Sequence, residues 1–332
     1  MKRTIFTLFF ITNVLYFSFA QQQQVFITGV EFSGNTSDAV YWLNGRRTVL
    51  PKSSNGEYDF ASANAIAVSG SDVYIAGSDG DDAVYWLNGR RIVLPQSSDG
   101  VEDLDAYAIA DAIAVSGSNV YIAGSEGMRE RGRGYAVYWF NGRLTELTNS
   151  RHVWANAIAV SGSDVIIAGG DVEAVYWLND RYIMLPVSSN EEYEYSSAGA
   201  YAIAIAGSDV YIAGNDDGDA VYWLNGRRTI LPRYSNEEYA FAIANAIAVS
   251  GSDVYIAGND GNNAVYWLNG SHTVLSKSSD HAYATAIAVS GSDVYIAGSD
   301  GDDAVYWLNG NRTVLPRGLG SNASATAIVI MP

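Results

Sequence analysis

The sequence predicts an all-β chain closed into a seven-bladed β-propeller, each blade a sheet of four antiparallel strands. Three observations carry this expectation. The segment Ala-Val-Tyr-Trp-Leu-Asn-Gly at residues 83–89 recurs almost letter for letter seven times, with Trp42, Trp86, Trp139, Trp177, Trp223, Trp267 and Trp307 spaced 38 to 53 residues apart. A mean period of about 44 residues, filled with short apolar runs and turn residues, belongs to a propeller rather than to a helical array. The apolar run that opens each later repeat is missing from the first, and it reappears at the carboxyl end as Ala325-Thr326-Ala327-Ile328-Val329-Ile330. The last strand is therefore expected to complete the blade begun at Val25, which closes the ring and removes two exposed sheet edges.

One repeat justifies the four strands in order. Ala65-Ile66-Ala67-Val68 reads as a short apolar strand, ended by the turn Ser69-Gly70-Ser71-Asp72. Val73-Tyr74-Ile75-Ala76 reads as the second, ending at Gly77 and the polar loop 78–82. Ala83–Leu87 is the third, and Asn88-Gly89 supplies the pair that accepts positive φ at both centres of a type I′ hairpin. Arg90–Leu94 returns as the fourth, and Pro95 stops it. The strands are apolar on both faces, as sheets stacked between neighbours require. The repeated Tyr-Trp pair is read as filler between blades, with its polar tips satisfied.

The chain opens with Lys2 and Arg3 before an apolar run from Ile5 to Ala20, with Ser18 and Ala20 as small residues before Gln21. This pattern predicts a secretory signal peptide at residues 1–20 and a single propeller domain at 21–332, exported to the periplasm or beyond, with no membrane span in the mature chain. The absence of cysteine excludes disulfides, thiolate metal sites and cysteine nucleophiles, so packing and ring closure must supply stability. A net charge of −17 would repel phosphate backbones and argues against nucleic acid as a partner.

The repeat resembles the kelch-like group of propellers, in which the second strand also ends in glycine and a tyrosine and a tryptophan follow later. It is more similar still to secreted bacterial proteins carrying tandem Tyr-Trp-x-Asn-Gly propeller repeats, over nearly all of residues 25–330. It departs from kelch in keeping one glycine (Gly77, Gly124, Gly214, Gly258, Gly298) where kelch has two, with Gly169-Gly170 the exception, and it lacks the Trp-Asp dipeptide of another common propeller repeat. The resemblance implies the fold and a binding role, and transfers no functional residue.

In an up-and-down blade the turns after the first and third strands share one face of the disc. Those turns are monotonous here, Ser-Gly-Ser-Asp and Asn-Gly. The second-to-third loops and the blade-to-blade connections, which vary, are expected on the other face, where a rigid scaffold presents binding residues. Candidate ligand contacts are the aromatics Tyr58, Tyr107, Trp154, Tyr193, Tyr195, Tyr239 and Tyr283 in those connections. A second set, Asn64, Asp111, Asn156 and Asn245, with Tyr201, Thr285 and Thr326 in the other repeats, directly precedes the first strand and is expected around the channel mouth, with capping of strand ends as the alternative role. Arg46, Arg47, Arg90, Arg91, Arg143, Arg227, Arg228 and Arg312, just after the Asn-Gly turns, are expected as an arginine ring on the monotonous face.

No catalytic constellation stands out. Ser-Gly-Ser is a turn and no Gly-x-Ser-x-Gly elbow is present. Asp79-Gly80-Asp81-Asp82 and Asp300-Gly301-Asp302-Asp303 are rich in oxygen, but they lack the glutamate of a complete calcium loop and suit a hairpin turn; no cofactor is expected, with weak calcium binding as the alternative. His152, His272 and His281 lie in different repeats without metal-ligand spacing and read as surface histidines. The expected function is an exported, monomeric binding module that recognises protein or glycan through the variable face. The alternatives are a polysaccharide hydrolase or lyase with carboxylates at the channel mouth, and a purely structural surface protein.

Overall fold

The computed structural model describes residues 23–53, 59–97, 106–128, 133–148, 153–170, 173–188, 197–233, 241–276, 281–320 and 322–331. The leader and the candidates Tyr58, Tyr193, Tyr195 and Tyr239 lie outside the described residues. Within them, 28 strands and no helix form seven antiparallel sheets of four strands. The protein is a seven-bladed propeller.

Blade 1 is assembled from both ends of the described chain. Its inner strand is Asn322–Met331, paired with Gln24–Ser33, then Thr36–Leu43 and Arg46–Val49. The register runs from Gln24 opposite Met331 to Phe32 opposite Asn322. Blade 2 follows as Ala61–Ser69, Asp72–Asp79, Asp82–Leu87 and Arg90–Val93, from the channel outward. The inner strands of blades 3 to 7 are Ala106–Ser116, Ala155–Ser161, Ala198–Ala206, Ala242–Ser250 and Ala282–Ser290. Each inner strand touches the next all the way round, blade 7 meeting blade 1 and blade 1 meeting blade 2.

The turns follow their residues. Asn88 and Gly89 have φ of 51° and 80°, the type I′ hairpin the Asn-Gly pair demands. Gly70 alone is positive in the two-residue Gly70-Ser71 loop, which is the type II′ arrangement. Asn88 ties these two turns together: its Oδ1 accepts from the Val73 N–H at 2.9 Å and its Nδ2 donates to Asp72 Oδ1 at 2.8 Å. The second-to-third connection of blade 2 is also tight, since Asp79 pairs with Asp82 around Gly80-Asp81. Blades 1, 5, 6 and 7 do the same, so the variability expected of these loops is confined to blades 3 and 4 and to the connections between blades.

The first strand is longer than the apolar run Ala65–Val68 suggests. It begins at Ala61 and carries a β-bulge: Ala63 pairs with Gly77 and Ala65 with Ala76, leaving Asn64 unpaired. The bulge recurs in all seven blades, at Asp111, Asn156, Tyr201, Asn245, Thr285 and Thr326. The glycine that ends the second strand is its counterpart. A Cβ on Gly77 would lie 1.9 Å from the Ser62 carbonyl oxygen, which the bulge pushes across the sheet. No other residue fits there.

The seven repeat tryptophans are buried to 1% exposure or less and fill the seams between blades. Five donate their indole N–H to a proline carbonyl at the end of the preceding blade's outer strand: Trp42 to Pro316, Trp86 to Pro51, Trp139 to Pro95, Trp223 to Pro186 and Trp267 to Pro232, at 2.7 to 2.8 Å. Trp177 and Trp307 have indole nitrogens without a partner. The residues that stand in the proline position before them are Thr148 and Ser276.

Candidate functional site: the diversified face and the channel

In six of the seven blades the described residues place an acid at or near the end of the second strand, two positions after its glycine. Glu31, Asp79, Glu126, Asp216 and Asp260 are buried. Arg47, Arg91, Arg228 and Arg312, from the outer strands, reach along their own blades to Glu31, Asp79, Asp216 and Asp300 at 2.5 to 2.6 Å. These four therefore do not form an arginine ring on the monotonous face. The exposed Arg46, Arg90, Arg143 and Arg227 remain there. The preceding blade adds backbone donors: Ser53 N to Asp79 at 2.6 Å, Ser188 N to Asp216 at 2.8 Å. The Asp79 and Asp82 carboxylates of the calcium-like loop thus both face Arg91, and among the described residues no group of three metal-binding side chains converges.

His272 stands where four other blades have arginine. It is not a surface histidine. Its side chain is 12% exposed, lies 3.9 Å from Asp260 Oδ2 and packs edge-on against Trp267. Burial pushes its pKa down, against the opposing pull of Asp260.

The aromatic candidates separate. Trp154 is half-buried and its indole lies over Gly134, in the third strand of the preceding blade, where a Cβ would sit 2.6 Å from Nε1. Tyr107 is half-buried near the start of its inner strand, and Tyr283 is exposed at the equivalent end of blade 7 with its ring stacked on His281. Sequence reasoning missed Phe60 and Phe241, which immediately precede inner strands and are 43% and 66% exposed. Phe241 lies against Gly218 of blade 5, and the backbone of Phe60 bridges to Ser37 of blade 1. The available signal was their place directly before an Ala-x-Ala pair and four residues before a polar bulge residue, which marks a seam on the diversified face.

The second candidate set occupies the bulges rather than the strand starts. Five of the seven bulge side chains donate to the carbonyl just before the next blade's bulge. Asn64 Nδ2 reaches Ala110 O at 3.2 Å, Asn156 Nδ2 reaches Ala200 O at 3.0 Å, and Asn245 Nδ2 reaches Ala284 O at 3.0 Å. Thr285 Oγ1 reaches Ala325 O at 2.7 Å, and Thr326 Oγ1 reaches Ala63 O at 2.5 Å. Tyr201 instead donates its hydroxyl to Asn215 Oδ1 in its own blade at 2.9 Å. Asp111 is the one ionisable carboxylate among them, and burial raises its pKa from 3.8 to about 7.

Fold and site together define a propeller with one stitched, uniform face and one diversified face. No protein family and no curated protein matches the chain in sequence. Solved structures share the fold. The WD40 β-propeller domain of Doa1 superposes with a TM-score of 0.52 at 14% identity, over 90% of each chain. Two structures of the extracellular domain of BT4673 from B. thetaiotaomicron give TM-scores of 0.45 and 0.48 at 9% identity, over 90% and 85% of this chain. The chain spans only 38% and 43% of those two, about two-fifths of their length. No helix among the described residues is long and apolar enough to cross a membrane.

Proposed function

We propose that the protein is an exported interaction module that binds a protein or glycan on its diversified face. The observation that carries this reading is the set of exposed rings Phe60, Phe241 and Tyr283 on the seams of that face, with exposures of 38 to 66%. Rings left in water on a rigid frame offer large contact area at little entropic cost. The opposite face, by contrast, is sewn shut by identical asparagine turns. Export rests on the Lys2-Arg3 leader with its apolar run to Ala20. Binding rather than polysaccharide cleavage is supported by the bulge ring, in which, among the described residues, Asp111 is a single carboxylate where a glycosidase needs two.

The test is capture by residues 21–332 of an oligosaccharide array and of extracellular proteins, with and without calcium. Specific capture that drops at least tenfold with Phe241→Ala or Tyr283→Ala supports the reading. Capture unchanged by both variants places recognition elsewhere and refutes it. Dependence on calcium would assign metal to the aspartate turns.

A further inference from the structure

The bulge ring has one position, in blade 3, where an acid stands among neutral side chains. Five side chains bridge blade to blade around the channel by donating to the same carbonyl position. Asp111 occupies the equivalent position in blade 3, and the acceptor that corresponds to Ala110, Ala200 and Ala284 across its seam is the Ala155 carbonyl. Aspartate has the shape of the asparagines at positions 64, 156 and 245, but an ionised carboxylate has no hydrogen to give. Set against a carbonyl oxygen it is an acceptor facing an acceptor.

We propose that Asp111 is a neutral carboxylic acid in the closed ring and donates its Oδ–H to Ala155 O, so that proton release into the channel unlatches the seam between blades 3 and 4.

The surroundings favour the neutral acid. The inner strands on either side, Ala61–Ser69 and Ala155–Ser161, contain no titratable residue. The other elements packed against this strand carry Asp72, Tyr74 and Asp79, then Asp82 and Tyr85, then Tyr121 and Glu126, and the strand itself carries Tyr107. None of these supplies a cation. Asp79 and Asp82 are held by Arg91, and Glu126 by Ser97. Desolvation is the sole cause of the raised pKa of Asp111, with no charged neighbour contributing. Five neutral donors in the equivalent positions show what the site asks of its side chain: a hydrogen.

The experiment compares wild type with Asp111→Asn, whose amide donates at every pH, by urea unfolding between pH 5.5 and 8.5, and follows the Asp111 carboxyl directly by carbon NMR. Every other ionisable residue is common to both proteins, so the difference between them isolates Asp111. The expected result is a carboxyl midpoint near 7 and a variant that gains on wild type as pH rises from 5.5, approaching tenfold in the folding equilibrium constant per pH unit below that midpoint and levelling off above it. A difference that is flat across the range, or an Asp111 carboxyl already ionised at pH 5.5, overturns the proposal. Should Asp111→Asn not fold, the carboxyl titration of the wild type decides alone.

Discussion

Two tryptophans in nearly identical surroundings allow one hydrogen bond to be weighed. Trp86 pairs with Ile75 and Arg91, and Trp307 pairs with Ile296 and Arg312; both are 0% exposed. They differ in that Trp86 donates to Pro51 O at 2.8 Å, whereas the indole nitrogen of Trp307 has no partner. Replacing either with phenylalanine opens a similar cavity. Trp86→Phe also removes a hydrogen bond worth about 0.5–1.5 kcal/mol and leaves a partly buried carbonyl unpaired. Trp307→Phe removes an N–H that was already costing stability. Trp86→Phe is therefore expected to destabilise by about 1–3 kcal/mol more than Trp307→Phe. Urea unfolding followed by far-UV circular dichroism measures this without relying on tryptophan emission. Equal losses within about 0.5 kcal/mol, or a larger loss at Trp307, would refute the idea that the indole-to-proline bonds hold the seams.

Three further outcomes follow from the same geometry. Thr148→Pro introduces the residue that five other seams use and is expected to raise stability by about 1 kcal/mol, partly through the unfolded chain, as read from the melting temperature; a lower melting temperature would show that blade 3 ends differently for another reason. Arg228→Leu strands the fully buried Asp216 carboxylate, which lies 2.5 Å from the guanidinium, and should cost about 3 kcal/mol in chemical denaturation, most of it recovered when Asp216→Asn is added. For Asp111 the folded pKa is raised, so its contribution is fully present below the unfolded value of 3.8 and is lost as pH rises through about 7. That window is worth up to about 4 kcal/mol, and a stability profile that does not fall between pH 5 and 8 relative to Asp111→Asn contradicts it.

What the sequence made legible is what every repeat needs identically. A buried indole at each seam and two positive φ values at each outer hairpin admit few residues, so Trp and Asn-Gly recur, and the count of blades and the closing strand follow from them. The bulge was hidden because Ala61-Ser62-Ala63-Asn64-Ala65 keeps an unbroken Ala-x-Ala rhythm while the burial phase slips by one, from Ala61 and Ala63 to Ile66. Its trace was Gly77, which reads as a strand terminator but is required by the Ser62 carbonyl. The locked acids were hidden for a different reason. Arg91 lies opposite Trp86 in register, yet its side chain runs along the blade to Asp79, and no spacing rule anticipates a contact made by the length of one flexible side chain.

The functional residues were legible only as exceptions, and the kind of exception matters. Phe241 was invisible because a phenylalanine before an apolar strand looks like core; only its 66% exposure separates it from the buried rings. Asp111 was visible as an acid among amides and hydroxyls, but its position says nothing until the Ala155 carbonyl is placed across the seam. In a repeat protein each blade is a control for the other six, so a departure with its own compensation can be told from one without. Leu144 replaces the arginine that would meet Glu126, and Ser97 covers that acid with its backbone N–H and its hydroxyl. Asp111 makes no such substitute bond as a carboxylate. Compensation marks drift that the scaffold has absorbed, and its absence at Asp111 is the physical ground for assigning that position a proton.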